Sequence, residues 1–166
     1  MRNKKVLFMT QAAIIAAIYV VLVFVFAPIS FSGIQVRIAE MLTILPFFTP
    51  AAIPGLTIGC LLGNWLMGAH MLDVIFGTLA TLLGAIGSYA LRKNKFLVPI
   101  PPIVANTIIV PWVIRMAYGD ATPIPLLMTT VGIGEIISCG VLGLVLLIAF
   151  NKYRHSIFTN SAGVNN

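Results

Sequence analysis

The residues that could bind a ligand are few, because the 166-residue chain has only four acidic side chains. Glu135 is the only charged residue between Asp120 and Lys152, and it lies in a long apolar stretch. A carboxylate in such a stretch is costly to bury unless it faces a polar cavity or a cation. Glu135 is therefore the first candidate for contact with a polar ligand.

Other polar and aromatic side chains accompany Glu135. Glu40 lies three residues after Arg37, a spacing that suits either a ligand site or a structural ion pair on one helix face. Asp73 is a further candidate ligand, although a carboxylate at the start of a helix also serves as a cap or dipole partner. The remaining candidates for binding are Asn64, Trp65, His70, Asn106 and Trp112.

The chain carries no motif for catalysis or for a bound metal. It has no GxxxxGK[ST] phosphate loop, no HExxH and no GxSxG sequence. Cys60 and Cys139 have no CxxC spacing and lie in apolar stretches, which favours two buried small residues. We therefore expect no enzymatic activity, no metal and no cofactor in this chain, and no ATP hydrolysis by the chain itself.

The composition is that of an integral membrane protein. Hydrophobic residues make up 60% of the chain and charged residues only 8%, and the mean hydropathy is +1.06. A soluble domain typically carries about 25% charged residues, so most of this exterior must face lipid. The net charge of +6 does not indicate nucleic-acid binding, because most basic residues lie in short clusters beside apolar segments.

The gaps between charges predict an all-α bundle that crosses the membrane six times. Single spans are predicted at 6–27, 72–91, 97–118 and 125–151, with a double segment at 36–67. Six crossings place the basic clusters at 2–5, 92–95 and 152–154 in the cytoplasm, as the positive-inside rule requires. Both termini are then inside. Residues 1–155 form one transmembrane domain, and 156–166 form a polar, frayed tail.

The double segment is predicted to hold two short helices broken by proline. Pro46 precedes Pro50 and Pro54, which flank a short turn, because proline removes a backbone donor and clashes with the preceding turn. Residues 36–48 form only about 20 Å of helix against a hydrocarbon core of about 30 Å. A re-entrant hairpin therefore remains open as an alternative to two crossings.

In this topology most of the polar candidates gather toward the outer ends of the helices. Several also have plainer interpretations: the tryptophans as interface anchors, His70 as a loop residue and Asn106 as a helix–helix bond. Arg115 is interpreted as reaching out to the interface.

Small residues at four-residue spacing indicate close helix contacts. Gly55, Gly59 and Gly63 form one ridge, and the pairs Ala12/Ala16 and Ala13/Ala17 form two overlapping faces on the first helix. In lipid such spacing allows helix backbones to approach closely, either inside the bundle or against a partner.

Several stretches resemble the QueT family, proposed queuosine-precursor transporters among the substrate-binding (S) components of energy-coupling factor (ECF) transporters. The resemblance is carried by VRIAEMLTILPFFTPAAIPGL at 36–56, GCL at 59–61 with Asn64, and DVIFGTLATLL at 73–83. Asn106 and GIGE at 132–135 continue it.

This resemblance implies a six-helix S component in a bacterial cytoplasmic membrane that captures its solute from outside. Its partners would be a membrane-embedded coupling protein and two cytoplasmic ATPases, which use the ATP. The alanine faces Ala12/Ala16 and Ala13/Ala17 would be docking surfaces for the coupling protein.

The implied solute is a 7-deazaguanine such as the aminomethyl form, preQ1. Glu135 would accept hydrogen bonds from its guanine-like edge, and Glu40 or Asp73 would face the cationic arm. Trp112 or Trp65 would stack on the ring, with Asn64 and Asn106 as amide partners.

Three other functions remain open at this point. The chain suits an S component for another vitamin- or purine-like solute, a self-sufficient secondary transporter, or a membrane scaffold subunit. A secondary transporter would show an internal repeat, which the sequence lacks.

Overall fold

The computed structural model describes residues 3–30 and 36–153, and it is all-helical over these ranges without a strand. The basic-cluster residues Arg2 and Arg154 and the predicted tail 156–166 lie outside the described residues. The helices in chain order are α1 (Lys4–Val25), α2 (Ala27–Ser30), a 3₁₀ helix (Ile38–Phe47), α3 (Ala52–Leu66), α4 (Met71–Ala90), α5 (Ile100–Tyr118), α6 (Ile124–Glu135), a π segment (Ile136–Leu142) and α7 (Gly143–Lys152).

Within the described ranges, four helices are long and apolar enough to cross a membrane. They are α1, α4, α5 and the continuous 29-residue helix Ile124–Lys152, which comprises α6, the π segment and α7. Their ends agree with the four predicted single spans to within three residues. The chain is thus a multi-pass membrane protein.

The double segment forms two short helices, as predicted, but the turn between them lies earlier than expected. The chain turns at 48–51, which contains Pro50, while Pro54 lies in the first turn of α3. Proline at that position removes no hydrogen bond within the helix, because the first backbone N–H groups of a helix have no partner within it. Pro46 lies inside the preceding helix, which is 3₁₀ rather than α.

Helix α1 packs closely along the glycine ridge of α3. A methyl group built on Gly55 would lie 2.8 Å from the backbone oxygen of Ala12, and one on Gly59 would lie 2.7 Å from Cβ of Tyr19. Such distances leave no room for a side chain, so the ridge is an internal contact.

The two alanine faces of α1 have different surroundings. Ala12 and Ala16 are buried against α3, whereas Ala13 and Ala17 are exposed. The bundle itself covers Ala12 and Ala16, so only the face of Ala13 and Ala17 is open to a partner here, and partner docking by the alanine faces stays a prediction.

The 3₁₀ helix lies at the centre of the bundle. It contacts α1, α3, α4, α7 and the π segment, and its apolar side chains Leu42, Ile44 and Leu45 are part of the core. Because Glu40 is on this helix, the fold carries a carboxylate into the interior.

Candidate functional site

Glu40 is almost completely buried, with 1% of its surface exposed. Its Oε1 accepts hydrogen bonds from the Tyr19 hydroxyl and, at 3.2 Å, from Thr81 Oγ1. Its Oε2 is buried and has no partner. Helices α1 and α4 thus hold one carboxylate oxygen and leave the other to receive a donor.

Glu135 and Cys139 face Glu40 from the last membrane helix. One carboxylate oxygen of each glutamate and the Cys139 sulfur lie within 4.8 Å of one another. The Cys139 thiol donates to Glu135 Oε2 over 3.2 Å, and both residues are buried. We call Glu40, Glu135 and Cys139 the glutamate cluster.

The donor atoms of the glutamate cluster are of types that also bind divalent transition metals. The structure therefore brings together a set that sequence spacing did not suggest, since Glu40 lies on the 3₁₀ helix whereas Glu135 and Cys139 lie on the last membrane helix. The expectation that the chain holds no metal stays a prediction.

Several polar side-chain atoms in the described part of the bundle are buried without a hydrogen-bond partner. Besides Glu40 Oε2 they are Asn106 Nδ2, Thr107 Oγ1 and Ser138 Oγ. Asn106 lies beside Glu135 on the neighbouring helix. Leaving such atoms unpaired costs about 1–3 kcal/mol each, so the arrangement suits a group that supplies the missing hydrogen bonds.

A second group of polar side chains, which we call the arginine cluster, contains Arg37, Asn64 and Asp73. Arg37 Nη2 donates to Asn64 Oδ1 over 2.7 Å. A methyl group built on Gly77 would lie 3.1 Å from Asp73 Oδ1, 3.2 Å from Asn64 Nδ2 and 3.9 Å from Arg37 Nη1. The three side chains therefore converge over Gly77, where the missing side chain gives them room.

Thr81 and Cys60 connect the two clusters. Thr81 Oγ1 lies 3.2 Å from Glu40 Oε1 and 3.3 Å from Cys60 Sγ, and Asn64 Nδ2 lies 3.6 Å from the same sulfur. The polar groups thus form one continuous array from α6 to α4.

Sequence reasoning missed Tyr19, Thr81 and the polar contacts of Cys60. A weak signal exists for Thr81, because Asp73, Gly77 and Thr81 follow one another at four-residue intervals and so share one face of α4.

The charges of the array do not balance. Three carboxylates, Glu40, Asp73 and Glu135, accompany one guanidinium, that of Arg37. Arg37 is the only lysine or arginine in the described part of the chain whose side chain is not exposed. Even with one carboxylate of the close glutamate pair protonated, two carboxylates remain beside one guanidinium, which favours a ligand that carries a positive charge.

The other predicted binding residues lie away from the array or at its edge. Trp65 and Trp112 are 61% and 51% exposed and lie on the outer surface, as interface anchors do. His70 caps α4, with Nδ1 accepting from the backbone N–H of Leu72 over 3.2 Å. The Tyr118 hydroxyl donates to Asp73 Oδ2 over 3.4 Å at this end of the array.

Comparison with known proteins identifies related sequences. A profile of the QueT transporter family matches residues 9–152. The queuosine precursor transporter QueT of Lactococcus lactis subsp. cremoris (strain MG1363) is 39% identical over 85 residues, which cover 50% of this chain and 50% of that protein. The match thus spans about half of the relative's length. No solved structure matches significantly.

Proposed function

The chain belongs to the QueT transporter family, and we propose that it is the substrate-capture (S) component of an ECF-type importer. Its solute would be a queuosine precursor, a 7-deazaguanine such as preQ1, taken from the extracellular side. The name of the related Lactococcus protein supports this class of solute.

The buried polar array is the observation that carries the proposal. An apolar bundle gains nothing from burying Glu40 beside Glu135 while Glu40 Oε2 has no hydrogen-bond partner. A deazaguanine offers both donors and acceptors in one rigid plane, so it can satisfy carboxylate oxygens and an amide nitrogen together.

The proposed architecture is a six-helix transmembrane bundle with both termini in the cytoplasm. The four long helices cross fully, and the 3₁₀ helix with α3 completes the bundle. Residues 1–155 would form this single domain, which lies in a bacterial plasma membrane. The orientation rests on the basic residues Lys4, Lys5 and Lys152 and on the cluster at 92–95.

The energy for uptake would come from partner proteins. The sequence has no phosphate-binding loop, so two cytoplasmic ATPases and a membrane-embedded coupling protein would drive transport. The exposed face formed by Ala13 and Ala17 would dock the coupling protein, because small residues allow a foreign helix to approach the α1 backbone.

Calorimetric titration of the detergent-purified chain with preQ1 tests the capture function directly. We expect one-to-one binding without any partner protein. Glu135→Gln keeps the size of the side chain and removes its charge, so we expect an affinity about 10- to 100-fold lower.

Asp120→Asn is the matched control for this titration. Asp120 lies between α5 and α6, outside the array, and hydrogen bonds from Thr122 hold its pKa below its ordinary range. The control therefore removes a carboxylate that is ionised at neutral pH, and we expect the parent affinity. Equal affinities of the parent and Glu135→Gln would contradict the proposal, and preference for another purine-like solute would redirect it.

A further inference from the structure

Building on the proposed function, we infer that Glu40 and Glu135 together bind the protonated amine of the ligand, and that the arginine cluster binds its guanine-like edge. This reverses the role that the sequence suggested for Glu135. It names a protonated aminomethyl deazaguanine as the preferred substrate over its neutral relatives.

The first step is the distance between the two glutamates. One carboxylate oxygen of Glu40 lies within 4.8 Å of one carboxylate oxygen of Glu135, and both lie within 4.8 Å of Cys139 Sγ. In the aminomethyl ligand the amine is attached to the five-membered ring, while the N1–H and the exocyclic amine lie at the far end of the six-membered ring. Two carboxylates that face one point cannot each hold a different end of this molecule. They must share one end.

The second step is the charge of that shared end. Two carboxylates at this separation repel each other unless one of them holds a proton or a positive group lies between them, and a cationic ligand supplies that positive group. Arg37 does not fill this role alone, because its Nη2 donates to Asn64 Oδ1 over 2.7 Å and its Nη1 lies on the Gly77 side of the array, 3.9 Å from where a methyl group on Gly77 would be. A primary ammonium has three donors, so it can bind the unpartnered Glu40 Oε2 and Glu135 at once.

The third step concerns the other end of the ligand. A guanine-like edge presents two donors beside a carbonyl acceptor. Asp73 supplies a carboxylate for the donors, and Arg37 and the amide nitrogen of Asn64 supply donors for the carbonyl. All three converge beside Gly77, whose missing side chain leaves room for their polar atoms.

The groups between the clusters fit a ring that spans them. Cys60 and Thr81 lie between the glutamate and arginine clusters. Neither carries a charge in its ordinary state, which suits the faces and edges of a neutral aromatic ring. The ligand would thus lie along Cys60 and Thr81, with its amine toward α6.

Titrating two variants with three ligands tests this orientation. The ligands are 7-aminomethyl-7-deazaguanine, its 7-cyano analogue and guanine, of which only the first carries an aminomethyl group. The parent is expected to bind the aminomethyl compound about 10- to 100-fold more tightly than the cyano compound. Glu40→Gln should abolish that preference, because it should weaken the binding of the aminomethyl compound alone. Asp73→Asn should weaken the binding of all three ligands by a similar factor and keep the preference for the aminomethyl compound.

The outcomes separate this inference from the proposed function. A parent that binds the three ligands equally, or a Glu40→Gln variant that weakens all of them alike, overturns the orientation and leaves the capture of deazaguanines standing. A parent that binds none of them overturns the proposed function itself. If Glu40→Gln does not fold, Glu135→Gln gives the same readout, because loss of either carboxylate should remove the amine preference. Asp120→Asn serves again as the control with parent affinities.

Discussion

Gly77 on α4 has no side chain, and the side chains of Asp73 and Asn64 occupy the space beside it. In Gly77→Ala the new methyl group would lie 3.1 Å from Asp73 Oδ1 and 3.2 Å from Asn64 Nδ2. Both groups must then shift by a few tenths of an ångström. We expect affinity for the deazaguanine to fall about tenfold, because displaced polar groups no longer meet the ligand at hydrogen-bond distance.

Thermal unfolding and calorimetry of the same variant separate binding from stability. Alanine is favoured over glycine in a helix by up to about 1 kcal/mol, which offsets the local crowding, so we expect a similar unfolding temperature. Gly140→Ala is the control, since its methyl group would meet nothing nearer than 3.8 Å. If Gly77→Ala bound as tightly as the control, Asp73 and Asn64 would not be ligand contacts.

At the residue scale, the sequence indicated which charged side chains are unusual, but it did not indicate which side chains surround them. Glu135 and Glu40 stand out because a carboxylate in an apolar stretch has few explanations. Thr81 and Cys60 did not stand out, because both residue types are common in membrane helices and only the packing of α3 against α4 turns them toward Glu40. Trp112 stood out in the sequence but lies on the outer surface, because an indole ring suits a ligand and the lipid interface equally well.

Helix α1 has two faces of small residues, of which one is buried and the other is exposed. Ala12 and Ala16 are buried against α3, and the exposed Ala13 and Ala17 form the proposed docking face. We expect Ala17→Trp to lower recovery of the complex with the coupling protein and ATPases about tenfold or more, because the indole holds the partner helix away. Ligand binding by the isolated chain should stay unchanged. The measurement is co-purification from cells that produce all the subunits.

Ile18→Trp is the matched control for the docking face. Ile18 is 47% exposed and projects about 100° around the helix from Ala17. The same bulky residue is thus added to α1 on another face, and we expect the complex to assemble. Equal loss in both variants would show a general disturbance of α1, and full recovery in both would place the coupling protein elsewhere.

At the element scale, the positions of the long helices were predictable and the unusual helices were not. Ends of apolar spans are marked by charges, so α4 and α5 agree closely with the prediction. The 3₁₀ helix and the π segment have no such mark, because residues in a membrane helix are apolar on nearly all sides and show no clear period. Yet the π segment follows Glu135 directly and carries Cys139. A π segment changes the register between the two halves of a helix, and such segments are frequent at functional sites.

At the scale of the whole molecule, the orientation depends on whether the two short helices return the chain to the side it left. The 10-residue 3₁₀ helix is about 20 Å long and the 15-residue α3 about 22 Å. Both are shorter than a hydrocarbon core of about 30 Å. Two crossings and a re-entrant hairpin give the same result, because either leaves an even number of crossings. Only a single crossing by both elements together would reverse the helices that follow.

Labelling of single cysteines with a membrane-impermeant maleimide tests this parity in intact cells. We expect Ala121→Cys, between α5 and α6, to react from outside, and Lys93→Cys, between α4 and α5, to react only after permeabilisation. The native Cys60 and Cys139 are fully buried, so the parent supplies a low background. With a single crossing at 36–67 the two reactivities would be exchanged. That outcome would place the basic cluster at 92–95 outside and move the Asp73 end of the array to the cytoplasmic side, which would contradict capture from outside.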